Sequence, residues 1–266
     1  MERFFGVAMA AVITLTGWCG AEPAPKIQDN SFLIEEAYNQ EHGVIQHIQT
    51  YQLMRDNSWL YTFTQEWPVP GQTHQLSYTV PVLHLVDPSR TTGVGDIALN
   101  YRYQLLFSGP LAVAPRLSIL LPSGDYQKGT GTSAAGWQTN LPVSVEIGKS
   151  WVTHWNAGAT YVPGAREPEG SRADTWSFNY GASAIWLLSG HLNFMLEAVG
   201  ASNQCVEENG YLRRDQQLFP NPGVRGAFNF KSGLQIVPGV SVPIGVGPSA
   251  GRRGVLIYLS FEHPAF

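Results

Sequence analysis

The chain has 266 residues, only 14% of them charged and 12% aromatic, and a formal net charge of -4 at pH 7. A faintly acidic balance with no basic patch excludes the electrostatic footprint of a nucleic-acid partner, and this length suits a single all-β barrel. Beyond Ala21 no stretch reaches the roughly 18 apolar residues that a membrane-crossing helix needs, so a mature chain that enters a membrane must do so as a closed barrel.

In chain order, Met1 to Ala21 carries Arg3 ahead of an apolar run, Phe4 to Leu15, and places small residues Cys19 and Ala21 where a signal peptidase reads. Residues 1–21 are therefore expected to be a secretory signal peptide. Cys19 also invites a lipoprotein reading, which the bulk of Trp18 opposes. Removal of this leader leaves Cys205 alone, so no intramolecular disulfide can form, and its place in a long polar connection marks an incidental thiol. Residues 22–43 are expected to be an N-terminal periplasmic or plug segment. Within it, Gln28 to His42 mixes Phe32, Leu33, Ile34 and Tyr38 with Glu35, Glu36 and Glu41, a spacing that allows a short helix entering a lumen as plug or gate. A periplasmic tail or an extra strand end fits equally well.

Residues 44–266 are expected to form the barrel itself. Alternation and turn residues predict strands at Val44 to Arg55, Trp59 to Trp67, His74 to Val86, Gly95 to Phe107, Leu111 to Leu121 and Trp137 to Ile147. The series continues with Trp151 to Val162, Trp176 to Leu187, Leu192 to Ala201, Leu218 to Phe230, Leu234 to Gly245 and Gly254 to His263. From Phe107 onward the connections alternate: Phe107 to Pro110, Gly148 to Ser150, Leu188 to His191 and Lys231 to Gly233 are short. Ser123 to Gly136, Pro163 to Asp174 and Ser202 to Gln217 are long. An even count of about twelve strands with tight turns on one rim and longer loops on the other predicts an all-β, transmembrane, antiparallel up-and-down β-barrel in the bacterial outer membrane.

The side-chain pattern agrees. In Gly93 to Leu105, parity puts Ile97, Leu99, Tyr101, Tyr103 and Leu105 on one face and Asp96, Asn100, Arg102 and Gln104 on the other. In the last strand Val255, Ile257, Leu259 and Phe261 would face lipid, and Tyr258, Ser260 and Glu262 the lumen. Trp137, Tyr161 and Trp176 fall at the long-loop rim, and Phe107, Trp151, Trp186 and Phe230 at the short-turn rim, as two interfacial belts would require. Pro115, Pro142, Pro238 and Pro243 lie inside predicted strands, where each removes a ladder bond. Pro115 and Pro142 fall close together in one hairpin and suggest a shared break facing the lumen.

Several stretches resemble a known family: GVGDIALNYRYQL (Gly93 to Leu105), APRLSILLPSGDY (Ala114 to Tyr126), WQTNLPVSVEIGKSW (Trp137 to Trp151), NPGVRGAFNF (Asn221 to Phe230), LQIVPGVSVPIGVG (Leu234 to Gly247) and YLSFEHPAF (Tyr258 to Phe266). With QDNSFLIEEAYNQE (Gln28 to Glu41), the chain is similar over most of its mature length to bacterial outer-membrane transporters associated with the meta-cleavage pathway of phenol degradation. The resemblance implies a barrel passing small hydrophobic or aromatic molecules and carries over no catalytic residue. A last strand ending at Phe266 also resembles the signal read by the barrel-insertion machinery.

By parity the lumen-lining candidates are Asp96, Arg102, Arg116, Glu146, Glu197, Arg225 and Glu262, three arginines against four acids. They form either a selectivity lining or pairs across the lumen, and the near balance favours pairing. Barrels of about 8 strands fill with side chains and those of about 16 leave a water channel, so size leaves the state of the lumen open.

Two motif matches are turn glycines: Gly247 to Gly251 lacks the strand-to-helix context of a nucleophile elbow, and Gly93, Gly95 and Ala98 are followed by period-two alternation where a dinucleotide fingerprint needs a helix. The histidines are scattered without metal-ligand spacing, and neither metal nor cofactor is expected. His154 and Asn156 share a strand face, and a nearby serine would complete an arrangement like that of outer-membrane phospholipase, whose His-x-Ser-Asn-Gly segment is missing here. The reading is a non-enzymatic channel or facilitator, partnered by outer-membrane lipids, a small-molecule solute and the insertion machinery. An outer-membrane lipid hydrolase and a secreted soluble ligand-binding β-barrel are the alternatives.

Overall fold

A computed structural model describes residues 31–87 and 90–265. The expected signal peptide, Cys19 and residues 22–30 lie outside them, as does Phe266. Strand β1 is Val44–Met54, β2 is Trp59–Pro68 and β3 is His74–Leu85. Strand β4 is built from Thr91–Val94, Ile97–Tyr103 and Leu106–Ser108, and β5 from Leu111–Val113 and Arg116–Leu121. Strand β6 joins Gly136–Asn140 to Val143–Ile147. Then follow β7 Trp151–Arg166, β8 Arg172–Ser189 and β9 Leu192–Val206. Strand β10 is Leu212–Gly226 with Phe228–Asn229, β11 is Gln235–Ser241 and β12 is Gly254–Pro264.

Each strand pairs antiparallel with its neighbour in sequence, and β1 pairs β12 along its whole length, from Val44 opposite Pro264 to Met54 opposite Gly254. The twelve strands thus close on themselves. Closure matters because each unpaired backbone group of an open edge would cost several kcal/mol in hydrocarbon. Side-chain parity follows. On β12, Val255 (45% exposed) and Ile257 (53%) point outward, while Tyr258 (1%) and Ser260 (0%) point inward. On β4, Leu99, Tyr101 and Tyr103 are exposed and Asn100 and Arg102 are buried. The interior is the polar side, opposite to a water-soluble sandwich, and each large outward apolar side chain gains about 1.5–3 kcal/mol by leaving water for lipid.

Rings stack at both rims. Trp137, Tyr161 and Trp176 occupy adjacent strands at the long-loop end, with Tyr161 4.7 Å from Trp176 and 6.4 Å from Trp137 between centroids. At the short-turn end Trp151 stacks on Trp186 at 6.1 Å, and Trp186 lies 6.1 Å from Phe194.

Three expectations need correction. The connections Pro163 to Asp174 and Ser202 to Gln217 are largely strand, because β7 to β10 run to 15–18 residues and meet in tight turns closed by left-handed Gly170 (φ 99) and Gly210 (φ 78). Spanning needs only about 9–11 residues, and beyond the membrane both faces of a strand are wet, so the alternation that betrays it fades. Cys205 is consequently in β9, opposite Arg213, and not in a loop. Strand β11 ends at Ser241, short of Gly245, because Pro243 cannot donate to the ladder. The shared break at Pro115 and Pro142 does form: Val113 pairs Val143 and Arg116 pairs Asn140, with Ala114, Pro115, Leu141 and Pro142 outside the ladder.

Candidate functional site: a lumen crossed by residues 31–40

The inward rows of the strands carry amides, hydroxyls and charges, and residues 31–40 lie against them without helix or strand structure. The short helix allowed by the sequence is therefore absent. Its physical reason is that the amides a helix would pair internally are taken by wall side chains. Glu197 Oε1 accepts from the N–H groups of Leu33 (2.8 Å) and Ile34 (3.0 Å). Asn156 clasps Glu35 both ways, its Oδ1 accepting from Glu35 N and its Nδ2 donating to Glu35 O, each at 2.8 Å. Ser144 Oγ accepts from Ala37 N (2.8 Å), and Gln75 Oε1 from Gln40 N (2.7 Å). Gln104 accepts from Asn39 N at 3.0 Å and donates to Ala37 O at 2.8 Å.

Arg102 binds the same backbone. Its guanidinium donates to Asn39 Oδ1 (2.9 Å), Glu36 O (3.2 Å) and Tyr38 O (2.6 Å), with Glu66 at 3.8 Å to balance its charge. Arg116 forms a two-pronged ion pair with Glu35, at 2.7 and 3.0 Å. Charge-assisted hydrogen bonds of this kind are about twice as strong as neutral ones. The apolar side chains of the segment sit on glycines: a Cβ at Gly223 would lie 2.4 Å from the Phe32 ring, and one at Gly181 2.5 Å from Ile34 Cδ1. Phe32 also meets Tyr258 edge-on at 5.7 Å.

Two chambers flank the segment. The outer one, of about 350 Å³, is lined by the threonines Thr50, Thr62, Thr64 and Thr79 together with Phe32 and Leu60. The inner one, of about 550 Å³, opens toward the short-turn rim between Tyr38, Gln40, Phe107, Phe230 and Glu262.

The charged candidates divide by position. Arg102, Arg116 and Glu197 contact the segment, and buried Arg225 lies on the inner face beside it. Glu262 accepts from Gln46 at 2.8 Å near the short-turn rim, and Glu146 is half-buried on β6. Asp96 sits in the break of β4, where its carboxylate accepts from Gly124 N, Thr132 N and Thr132 Oγ1 and folds the long connection after β5. The uncharged partners Ser144, Asn156, Gln104 and Gln75, with Glu66, were not among the candidates. Parity places all of them inward; the four uncharged residues carry no charge to mark them, whereas Glu66, an inward acid on the strand Trp59 to Trp67, was legible by the same parity that marks Arg102.

His154 does find a serine, Ser144, whose Oγ lies 2.7 Å from its Nδ1. Both are buried (2% and 0%), Ser144 already accepts from Ala37 N, and the Tyr38 ring stands edge-on to the imidazole at 6.1 Å. Asn156 is bound to Glu35. The trio anchors the segment, and no approach for an ester is left open to Ser144. Among the described residues no group of His, Cys, Asp and Glu is placed to hold a metal.

A closed antiparallel cylinder with a lipid-compatible outside, ring belts at both rims and a charged, hydrogen-bonded inside is a bacterial outer-membrane β-barrel. No known family's sequence profile matches the chain, and no curated protein does. Solved structures do. The COG4313 outer membrane channel from Pseudomonas putida F1 superposes with a TM-score of 0.65 at 12% identity, over 85% of this chain and 97% of that one. The NanC porin superposes with a TM-score of 0.54 at 9% identity, over 81% and 98%. At such identities the likeness is one of fold.

Proposed function

We propose that this barrel is an outer-membrane channel or facilitator for small hydrophobic or aromatic solutes, held shut in the conformation described by residues 31–40. The observation that carries the reading is the seating of that segment: backbone amides and carbonyls from Leu33 to Gln40 are bound by inward side chains of five different strands, β3, β4, β6, β7 and β9. A merely structural lumen would be filled by side chains; a removable strip of backbone fits a gate. In this reading Arg102, Arg116 and Glu197 hold the gate, Arg225, Glu146 and Glu262 line the path, and Asp96 shapes its outer mouth. Support for the solute class comes from the mixed lining of the outer chamber and from the resemblance to transporters of the phenol meta-cleavage association. The fold likeness to a channel and a porin is consistent with it.

The test is uptake of radiolabelled toluene by cells carrying or lacking the protein in their outer membrane. Faster uptake with the protein supports the proposal. Equal rates, with the barrel verified as folded and inserted, remove it. Ester hydrolysis that disappears in His154→Ala would instead favour a lipid hydrolase.

A further inference from the structure

The seam between β10 and β11 differs from every long seam of the barrel. Between β9 and β10 the ladder runs unbroken from Leu192 opposite Gly226 to Val206 opposite Leu212. Between β10 and β11 regular ladder pairing is confined to Phe228 and Asn229 opposite Ile236 and Gln235 at the short-turn end and to Gly223 to Arg225 opposite Ser241 to Gly239. Further out all bonds run one way: Val242 N donates to Pro222 O (3.0 Å), Ile244 N to Pro220 O (2.9 Å) and Val246 N to Leu218 O (3.0 Å). The return donors are missing because prolines have no N–H, and Leu218 N is diverted to Ser249 Oγ at 3.0 Å. A seam with half its bonds is the cheapest place to part a barrel wall.

Both sides of that seam suit an apolar traveller. Outward it presents Pro220, Pro222 and Val224 beside Val240, Val242 and Ile244, with no charge. Inward, Gly223 on β10 and Gly239 on β11 leave a dimple filled by the Phe32 ring, which a Cβ on either glycine would meet at 2.4 Å. Asn221 Oδ1 and Ser241 Oγ, flanking it, have no hydrogen-bond partner among the described residues, so neither atom ties the two strands together from inside. The other proline pair, Pro115 and Pro142, interrupts its seam for two residues on each strand and is packed from inside by Ala37 against Ala112 and Ala114.

We infer that the β10–β11 seam is a lateral port through which small uncharged apolar molecules pass between the lumen and the surrounding lipid, with Phe32 as its inner stop. The inference rests on the transport reading above and adds a route to it. Withdrawal of Phe32 with its segment opens the dimple, and the outer chamber lined by Phe32 and Tyr258 then faces the acyl chains through the parted strands.

The experiment locks the seam. In a Cys205→Ser background, Pro222→Cys with Val242→Cys places two thiols on a hydrogen-bonded antiparallel pair, whose Cα separation of about 5.5 Å lies within disulfide reach. Thr153→Cys with Ala184→Cys makes the same lock on the regular β7–β8 seam. Toluene uptake by intact cells is expected to fall to the level of cells without the protein when the β10–β11 lock is oxidised, to return on reduction, and to be unchanged by the β7–β8 lock. Should the locked pair fail to fold, Pro220→Val with Pro222→Val restores the missing donors and is expected to reduce uptake on its own. Uptake that proceeds unchanged in the oxidised β10–β11 lock or, where that pair does not fold, in the valine variant overturns the port while leaving transport standing. If the unlocked barrel gives no uptake beyond that of cells without it, transport and port fall together.

Discussion

Arg116 on β5 grips Glu35 of the lumenal segment with both prongs of its guanidinium, joining residues 81 positions apart in sequence. The pair is partly hydrated, with the two side chains 14% and 30% exposed, so its strength lies between that of a surface ion pair and that of a buried one. It ties wall to segment by charge, and it bounds the outer chamber.

Replacing Glu35 by Gln keeps the shape and removes the charge. Hydrogen bonds to charged groups contribute about 1.5–3 kcal/mol and a partly exposed pair sits at the low end, so the unseated population should rise about tenfold. Single-channel recording of Glu35→Gln should show more frequent openings than the unaltered barrel, with the same open-state conductance.

Acid should act on the same contact. Burial pushes the Glu35 carboxyl up, but the charge and hydrogen bonds of Arg116, with the Arg102 charge behind them, outweigh it and hold the group below its ordinary 4.5. A carboxylate with a depressed pKa stabilises the seated state fully above its ordinary value and loses that contribution as pH falls through the depressed one. The difference in opening frequency between the unaltered barrel and Glu35→Gln should therefore hold constant from neutral pH down to about 4.5 and shrink below it.

Glu197 is completely buried and accepts from two backbone amides of the segment and from Asn221 Nδ2 at 2.5 Å. Glu197→Ala leaves these donors unsatisfied, at about 1–3 kcal/mol for each group. The heat-induced mobility shift of the barrel on gels should move to lower temperature, and a protease added from the short-turn side should cut within residues 31–40 faster than in the unaltered protein. Glu197→Gln, which keeps an acceptor, should recover part of both.

The two faces of the wall should respond oppositely to charge. Ile257→Arg puts a cation against lipid, which costs about 2–4 kcal/mol near the membrane midplane, and insertion into liposomes should drop sharply. Thr62→Arg, inside and lining the outer chamber, should insert normally.

Most of the wall was legible in the sequence because lipid on one side and polar groups on the other impose a strict period of two. Val255, Ile257, Tyr258 and Ser260 fall on the faces that parity gives them. Legibility ended where that contrast ends. The outer ends of β7 to β10, exemplified by Asn203 opposite Asp215, are wet on both faces and read as loops. The segment around Glu35 has no period of its own, since its conformation is dictated by Asn156, Ser144 and Gln104, residues more than 60 positions away. Local pattern therefore allowed a helix where distant side chains impose an irregular, bent path.

The most direct measurement is ion conductance in planar bilayers of the full mature barrel and of one lacking residues 22–42. If residues 31–40 close the lumen, the shortened barrel conducts steadily while the full one is mostly silent. Equal conductance from two properly folded proteins would contradict the account.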